Sequence, residues 1–170
     1  MYKELLLGCG RSIKKELYIG KEKEFKNVIT LDINPDVNPN VIWDLTQHPL
    51  PFDDNTFDEI HAYDVLEHLA YQGDYKFFFE EFTEYHRILK PGGMFFATVP
   101  GRMSPWALGD PSHKRIIQPE TLIYLSQEEY KKQAGITKMS DFRYIYKVDF
   151  ETVYSQSGLE LYSFVLKAIK

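Results

Sequence analysis

The chain has 170 residues, of which 44% are apolar and 26% charged, and its formal net charge is −5. This size and composition predict one globular domain, and because no apolar stretch reaches membrane-spanning length and the N-terminus lacks a signal-peptide pattern, we expect a cytoplasmic protein without a membrane partner. The acidic balance argues against a nucleic-acid partner, and one cysteine with five scattered histidines predicts neither a disulfide nor a metal site.

The chain opens with an apolar run, residues 5–7, that breaks into Gly8-Cys9-Gly10. We predict a buried strand over about residues 3–7, a tight turn, and a short helix that begins at Ser12 and ends near Gly20. Glycine permits a positive φ and lets a ligand approach the backbone, while the amides that open a helix favour a carboxylate or phosphate. A plain strand-to-helix turn is the alternative interpretation.

A second apolar strand pattern ends in a carboxylate, Asp32, which lies 22 residues after Gly10. This is the separation at which a βαβ unit places an acid at the tip of its second strand. From that position a carboxylate can accept hydrogen bonds from both hydroxyls of a ribose. The alternative is a solvated aspartate that starts the turn over residues 32–35.

The next part of the chain alternates between strand and helix patterns, as βαβ units do. The predicted elements are a turn over residues 34–40, a brief strand over 41–43, a strand over 59–63, a helix over 74–90 that Pro91-Gly92-Gly93 ends, and a buried strand over 94–99.

The alternation of strand and helix patterns becomes irregular after residue 100. Residues 101–118 have no periodicity, and 119–133 are predicted to be helical in one or two pieces, because Ser126-Gln127-Glu128-Glu129 has the form of a capping box. Strict alternation of apolar residues over 142–150 predicts a sixth strand. A seventh, over 159–169, is expected to pair with it in antiparallel fashion.

Six motifs, in this order and at these separations, resemble those of the class I S-adenosylmethionine-dependent methyltransferases of the type 11 kind. They cover residues 4 to about 100 densely, and the rest of the chain resembles the family only in its strand pattern. The motifs are Leu7-Gly8-Cys9-Gly10, Leu31-Asp32-Ile33, Asp44-Leu45, Leu50-Pro51-Phe52 with Phe57-Asp58-Glu59-Ile60, Asp64-Val65-Leu66-Glu67-His68, and Arg87-Ile88-Leu89-Lys90-Pro91-Gly92-Gly93.

The resemblance implies a doubly wound, Rossmann-like α/β fold whose seven-stranded sheet is mostly parallel with an antiparallel seventh strand. It also implies S-adenosylmethionine as cofactor, with the glycines near its methionine part, Asp32 on the ribose, Asp44 on the adenine amine, and Tyr63 with Val65 around the sulfonium. The implied cofactor-binding residues are Gly8, Gly10, Asp32, Ile33, Asp44, Leu45, Tyr63 and Val65.

Two departures from the family pattern weaken the expected grip on the methionine end. Leu6 stands where the family has an acid, and Ser12 stands where it has a third glycine. Only four residues precede the first strand. We therefore expect the lid to come from residues 101–141 of a single domain over 1–170, to come from a partner subunit, or to be absent. A homodimer is one option, because three consecutive phenylalanines, 77–79, cannot all face one core.

The resemblance implies methyl transfer to an oxygen or nitrogen of a small acceptor. His68 and His113 are the candidate catalytic bases, because a neutral imidazole can take a proton at neutral pH. Lys114 and Arg115 beside His113 favour an anionic metabolite. The alternatives are that His68 only ties its turn to the backbone and that His113 lies in a solvated loop.

Three rival functions remain to be weighed. A nucleotide-binding dehydrogenase would need a third glycine where Ile13 stands. A nucleic-acid amino-methyltransferase would carry Asn or Asp followed by Pro-Pro and an aromatic residue after the fourth strand, unlike Tyr63-Asp64-Val65-Leu66. A protein that keeps the fold for binding or assembly, without catalysis, is the third.

Overall fold

Seven strands form one sheet in the computed structural model, which describes residues 1–20 and 22–170. The strand order across the sheet is β3-β2-β1-β4-β5-β7-β6. The strands are β1 (Glu4–Leu7), β2 (Val28–Asp32), β3 (Val41–Ile42), β4 (Phe57–Tyr63), β5 (Leu89–Pro100), β6 (Asp149–Ser157) and β7 (Leu161–Ile169).

The first five strands run parallel to one another, and β7 runs antiparallel to both β5 and β6. The expected fold class is therefore confirmed. In the register, Leu7 of β1 lies beside Leu31 of β2 and Ala62 of β4, so these three strands end at the same edge. The strand order reverses at β1, and ligands of open α/β sheets bind in the crevice at such a point.

The main helix, α1 (Tyr75–Ile88), begins where the sequence predicts it, with the Asp74 side chain accepting a hydrogen bond from the backbone N–H of Phe77. It packs on the sheet through aromatic side chains, and the ring centroids of Tyr85 and Phe95 are 4.8 Å apart. Its end differs from the prediction: β5 begins at once after Ile88, because the strand pairs with β4 upstream of the Pro-Gly-Gly sequence.

The short helices after β5 are α2 (Trp106–Gly109), α3 (Pro119–Leu122) and α4 (Gln127–Gln133). Of the one or two helical pieces expected over residues 119–133, the structure has two, separated at Ser126, because a 3-10 turn over Ile123–Leu125 continues α3. The side chain of Ser126 caps α4 and accepts a hydrogen bond from the backbone N–H of Glu129 at 3.3 Å.

The predicted sixth strand over residues 142–150 is wrong, since β6 begins only at Asp149. The alternating aromatic residues instead cover α1. The Phe142 ring stacks on that of Tyr75 at 4.8 Å, and the buried Tyr146 ring lies 5.0 Å from that of Phe79. Packing against α1 therefore decides the position of these aromatic residues, although their alternation along the chain predicts a strand.

The helix predicted over residues 12–20 is also wrong: the described residues between β1 and β2 contain no helix. Two interactions replace it. The Lys15 side chain turns into the protein, and both backbone hydrogen-bonding groups of Leu17 pair with the Tyr63 hydroxyl, at 3.2 Å for the N–H and 3.1 Å for the carbonyl. Backbone polarity is therefore satisfied by a side chain of β4 instead of by helical hydrogen bonds.

Lys15 lies at the centre of a buried charge network. Its Nζ is 2.7 Å from Glu4 Oε1 and 2.5 Å from Glu59 Oε2, and Glu59 also faces His61 Nε2 at 3.0 Å. Burial alone would raise the pKa of the Glu59 carboxyl, but hydrogen bonds from His61, Lys15 and Tyr2 hold that pKa at about 2. Burial lowers the pKa of His61, so the network is a lysine cation between two carboxylates with a neutral imidazole.

Among the described residues, no helix is both long enough and apolar enough to cross a membrane.

Removing the buried cation should destabilise the fold strongly. We expect Lys15→Met to lower the free energy of unfolding by about 3–5 kcal/mol, because two carboxylates would be left buried together. Lys26→Met is the matched control, since its ion pair with Glu22 is largely exposed, and we expect a change within about 0.5 kcal/mol. Chemical denaturation followed by circular dichroism measures both. Equal costs for the two variants would contradict this interpretation of the network.

Candidate active site

The glycine turn lies at the carboxyl end of β1. Gly8 and Gly10 have φ values of +56° and +51°, in the left-handed region. A Cβ atom at Gly8 would lie 2.4 Å from Cγ2 of Val65, whereas one at Gly10 would meet nothing within 4 Å. Gly8 is therefore required both by its φ and by the turn after β4, which approaches it closely.

Asp32 ends β2 beside this turn and is only 8% exposed. Its Oδ2 accepts a hydrogen bond from the backbone N–H of Gly10 at 2.8 Å, and its Oδ1 accepts one from that of Asn34 at 2.9 Å. Each carboxylate oxygen can accept a second hydrogen bond, so the side chain is held in place with acceptor capacity left for a diol. Ile33 follows it with its side chain exposed.

Asp44 reaches the same edge through β3, because the backbone N–H of Trp43 donates to the carbonyl of Asp32 at 3.0 Å. The half-buried Asp44 carboxylate accepts hydrogen bonds from the backbone N–H and the hydroxyl of Thr46 through Oδ1. Leu45 is buried in the core beside it. The expected ribose and adenine residues thus lie at the ends of neighbouring strands.

Tyr63 is expected near the sulfonium of the cofactor, but its hydroxyl is hydrogen-bonded to the first crossover. Its hydroxyl pairs with Leu17 of the first crossover and lies 2.7 Å from His61 Nδ1. Burial raises its pKa. Val65, two residues on, is the one that packs against Gly8.

The two histidines singled out from the sequence lie together. The turn after β4, a 3-10 helix over Leu66–His68, carries His68, and its ring centroid is 4.6 Å from that of His113. His68 Nδ1 is 3.3 Å from the carbonyl oxygen of Ser112, and His113 Nδ1 is 2.8 Å from that of Trp106. His68 is half-buried, and the His113 side chain is only 8% exposed, at the edge where β4 ends.

Glu67 is the residue of this site that sequence reasoning missed. It is 2% exposed, and neither of its carboxylate oxygens has a hydrogen-bond partner in the part of the chain that the structure describes. His113 Nε2 lies 4.0 Å from its Oε1. Burial first, and then the charges of Asp64 and Asp110, raise its pKa to about 7, against the opposing effects of its own backbone N–H and of Arg115. The signal was its place directly before His68.

Of the two basic residues that follow His113, Arg115 is buried and Lys114 is exposed. Arg115 is buried, with its Nε donating to the carbonyl of Leu66 at 2.6 Å and its Nη2 lying 2.7 Å from Glu81 Oε2. Lys114 is exposed over the ring of Tyr71, with its Nζ 5.5 Å from the ring centroid. Only Lys114 is therefore placed to meet an anionic acceptor.

Residues 113–116 are fastened to the turn after β4. The backbone N–H groups of Lys114 and Arg115 donate to the carbonyl of Glu67 at 2.8 and 3.3 Å, and that of Ile116 donates to Gln72 Oε1 at 2.9 Å. A mostly apolar cavity of about 160 Å³ lies next to this segment, with Phe142 among its lining residues. Part of residues 101–141 thus packs directly over the end of β4.

The contact between Gly8 and Val65 can be tested by a double-mutant cycle. Alanine at either glycine costs about 1–2 kcal/mol for the left-handed φ, but Gly8→Ala should cost more because of the overlap with Val65. In a Val65→Ala background, we expect the added cost of Gly8→Ala to fall to that of Gly10→Ala. Chemical denaturation of wild type and the four variants measures these costs, and an unchanged cost in the Val65→Ala background would refute the contact.

Comparisons with known proteins agree with this geometry. A family model described as a methyltransferase domain, of the type 11 kind, matches residues 5–97. A comparison with curated proteins finds no match. Among solved structures, an S-adenosylmethionine-dependent methyltransferase from Archaeoglobus fulgidus has 19% identity and a TM-score of 0.60, with 98% of this chain and 86% of that chain covered.

Two further structures share the fold. The N-methyltransferase NodS from Bradyrhizobium japonicum, in complex with S-adenosyl-L-homocysteine, has 13% identity and a TM-score of 0.56 over 99% of this chain and 79% of that chain. A methyltransferase solved with the Haloferax volcanii Trm112 methyltransferase activator has 16% identity and a TM-score of 0.58 over 99% and 82%. Since the family model covers more than half of the sequence, the chain belongs to the type 11 methyltransferase domain family of class I methyltransferases, whose cofactor is S-adenosylmethionine.

Proposed function

We propose that this protein transfers the methyl group of S-adenosylmethionine to an oxygen or nitrogen of a small acceptor that binds beside His68 and His113. One observation carries the proposal: a single turn after β4 supplies both sides of the reaction. Val65 of that turn packs against the glycine loop, and His68, three residues later, meets His113. The cofactor side and the acceptor side are therefore neighbours along one short segment.

The cofactor would be held by side chains that the structure already orients. Asp32, fixed by two backbone N–H groups, would accept from the ribose hydroxyls, and Asp44 would accept from the adenine amine, with Ile33 and Leu45 beside them. The remaining proposed contacts are Gly8 and Gly10 on the methionine part and Tyr63 and Val65 near the sulfonium. Of that last pair, Val65 is the better supported, because the Tyr63 hydroxyl is engaged by the first crossover.

The bound cofactor supplies an electrophilic methyl group with a good leaving group. The protein's part is to align the acceptor and remove its proton. The acceptor oxygen or nitrogen bonds to the methyl carbon as the carbon–sulfur bond breaks, and the acceptor's proton passes to an imidazole of His68 or His113. Cys9 is not assigned a role, because burial raises the pKa of its thiol and disfavours the thiolate.

We favour a small acceptor because residues 113–116 pack against the turn after β4, beside the two histidines. The cavity of about 160 Å³ is lined by Arg115 and Ile116 of this segment and not by His68 or His113, so we do not assign it to the acceptor. We propose that residues 101–141 form the acceptor-side lid of a single domain over 1–170. An anionic acceptor has less support than the sequence suggests, since Arg115 is engaged with Glu81 and only Lys114 is exposed.

A protein partner is a further proposal. The phenylalanines that motivated a homodimer are all at least partly buried, with Phe77 stacked on His48 and Phe79 in the core. Exposed apolar side chains lie instead on α2, at Trp106 and Leu108. A methyltransferase of similar fold is solved with an activator protein, so α2 is our preferred contact for a second copy or an activator.

The second candidate function is a protein that binds the cofactor without methyl transfer. It is favoured by the irregular first crossover, where the expected helix N-terminus at the methionine end does not form, and by buried Leu6 in place of the family's acid. The two functions differ in turnover: both predict cofactor binding, and only the first predicts formation of S-adenosylhomocysteine with some acceptor.

Cofactor binding should depend on Asp32. We expect Asp32→Ala to weaken binding of S-adenosylhomocysteine at least about tenfold, because losing a hydrogen bond from a charged group costs about 1.5–3 kcal/mol. Titration calorimetry measures the affinity, and thermal unfolding checks that the loop remains folded. Asp36→Ala, at an exposed aspartate of the same turn, should bind like wild type. Unchanged affinity in Asp32→Ala would exclude the proposed ribose contact.

Methyl transfer should depend on the histidine pair. In a screen of small hydroxyl and amine acceptors, we expect His68→Ala or His113→Ala to lower turnover about 10²- to 10⁴-fold near neutral pH while cofactor affinity is unchanged. His48→Ala, at a histidine stacked on α1, serves as control. Wild-type rates in both variants would remove these histidines from the acceptor side, and no turnover of any acceptor would favour the binding function.

A further inference from the structure

Glu67, His68 and His113 form a cluster of potential metal ligands. One carboxylate oxygen and one nitrogen from each ring lie within 4.8 Å of one another. Two of these residues are adjacent in the turn after β4, and the third comes from the loop before α3. Tertiary contacts bring the three residues together, because His113 is far from the other two along the chain.

The Nδ1 atoms of the two imidazoles have backbone partners. Each Nδ1 faces a backbone carbonyl oxygen, that of Ser112 for His68 and that of Trp106 for His113. An Nδ1–H that donates to a carbonyl fixes the tautomer and leaves the Nε2 lone pair free for a cation. The Nε2 of His113 points toward Glu67, with 4.0 Å between it and Oε1.

Glu67 supplies an independent observation. Its side chain is 97% buried, and both oxygens are without a hydrogen-bond partner among the residues that the structure describes. A buried carboxylate in that state is costly unless a counter-charge reaches it. The neighbouring buried cation, Arg115, directs its Nε and Nη2 to Leu66 and Glu81, while its Nη1 makes no hydrogen bond to Glu67 or to any other described residue.

A second cluster of potential metal ligands in the same protein has its carboxylates paired with a lysine. Glu4, Glu59 and His61 also bring three potential ligand atoms within 4.8 Å of one another. There the Lys15 ammonium lies 2.7 and 2.5 Å from the two carboxylates and supplies the cation. The Glu67 cluster has further acidic side chains around it, with Asp110 Oδ2 3.8 Å from His113 Nε2.

We propose that Glu67, His68 and His113 bind a divalent first-row transition-metal ion at the carboxyl end of β4. Two imidazoles and one carboxylate are a donor set that suits zinc, cobalt, iron or manganese better than magnesium. Ligand atoms around such an ion are about 3.4 Å apart, so the side chains need only a small contraction. The His113 side chain is only 8% exposed, but His68 is half-buried and the neighbouring Asp110 carboxylate is 39% exposed, so an ion can approach from that side.

The site deepens the proposed methyl transfer, and this part of the inference rests on that function. An acceptor hydroxyl that binds the ion would lose its proton to solvent at neutral pH, because a divalent cation lowers the pKa of a bound hydroxyl. The ionised oxygen then bonds to the methyl carbon as the carbon–sulfur bond breaks. In the metal-bound protein the imidazoles are ligands, and the cation also offsets the surrounding carboxylates for an anionic acceptor.

Direct metal binding tests the site without any acceptor. Cobalt is the probe, followed by equilibrium dialysis and by the visible absorption of bound Co²⁺. We expect about one equivalent in wild type and in the control His48→Ala, and more than about 100-fold weaker binding in Glu67→Gln, His68→Ala and His113→Ala. No specific uptake by wild type, or equal uptake by all five proteins, would overturn the proposal.

Thermal unfolding guards against loss of fold in a variant. Without metal, Glu67→Gln should be at least as stable as wild type, since it removes an unpartnered buried carboxylate. With cobalt in excess, the Tm should rise in wild type and stay constant in Glu67→Gln. A Tm that rises equally in both proteins would place the cation elsewhere and overturn the assignment.

Activity assays separate the two proposals. Turnover that resists chelators in a protein without cobalt uptake would overturn the metal site and leave the methyltransferase function standing. Specific cobalt binding with no turnover of any hydroxyl acceptor would support the site and count against the proposed reaction. Titration with S-adenosylhomocysteine should give the same affinity for Glu67→Gln and wild type in either case.

Discussion

The architecture around the glycine turn depends on one ammonium group, that of Lys15, held between the carboxylates of Glu4 and Glu59. These carboxylates belong to β1 and β4, the two strands at which the sheet order reverses. A cation buried at that junction fastens the first crossover to both strands, with Leu17 joined to the hydroxyl of Tyr63 nearby. The glycine turn is therefore positioned by side-chain interactions, where a helix is the usual support.

The strand β4 connects this network to the proposed chemistry. Glu59 and His61 of the strand belong to the charge network, while the turn that follows it carries Val65, Glu67 and His68 at the carboxyl edge. A change in the position of β4 would thus move the glycine contact and the histidine pair together. This common support would hold the two halves of the proposed reaction in register although the first crossover is irregular.

The carboxylates of Glu4 and Glu67 are buried and that of Glu59 is largely so, but their partners differ. Lys15 compensates Glu4 and Glu59, whereas the described part of the chain gives Glu67 no hydrogen-bond partner. Local violations of polar satisfaction concentrate at functional sites, because binding a ligand there recovers the cost. The fastening of residues 113–116 to the same turn keeps His113 beside that carboxylate.

Hydrophobic periodicity and the spacing of glycines and acids are local properties that can be read along the chain. They were enough to predict the α/β class, the strands up to β5, and the acids at the ends of β2 and β3. The sequence by itself did not determine the crossover after Gly10 or the fate of the aromatic run over residues 142–148. In the crossover after Gly10, the buried ion pairs of Lys15 outweigh the helical propensity of the segment. Over residues 142–148, packing on α1 outweighs the preference for a strand. The meeting of His113 with Glu67 and His68 was decided only by the tertiary structure, since backbone hydrogen bonds between distant loops set that contact and leave no periodic trace in the chain.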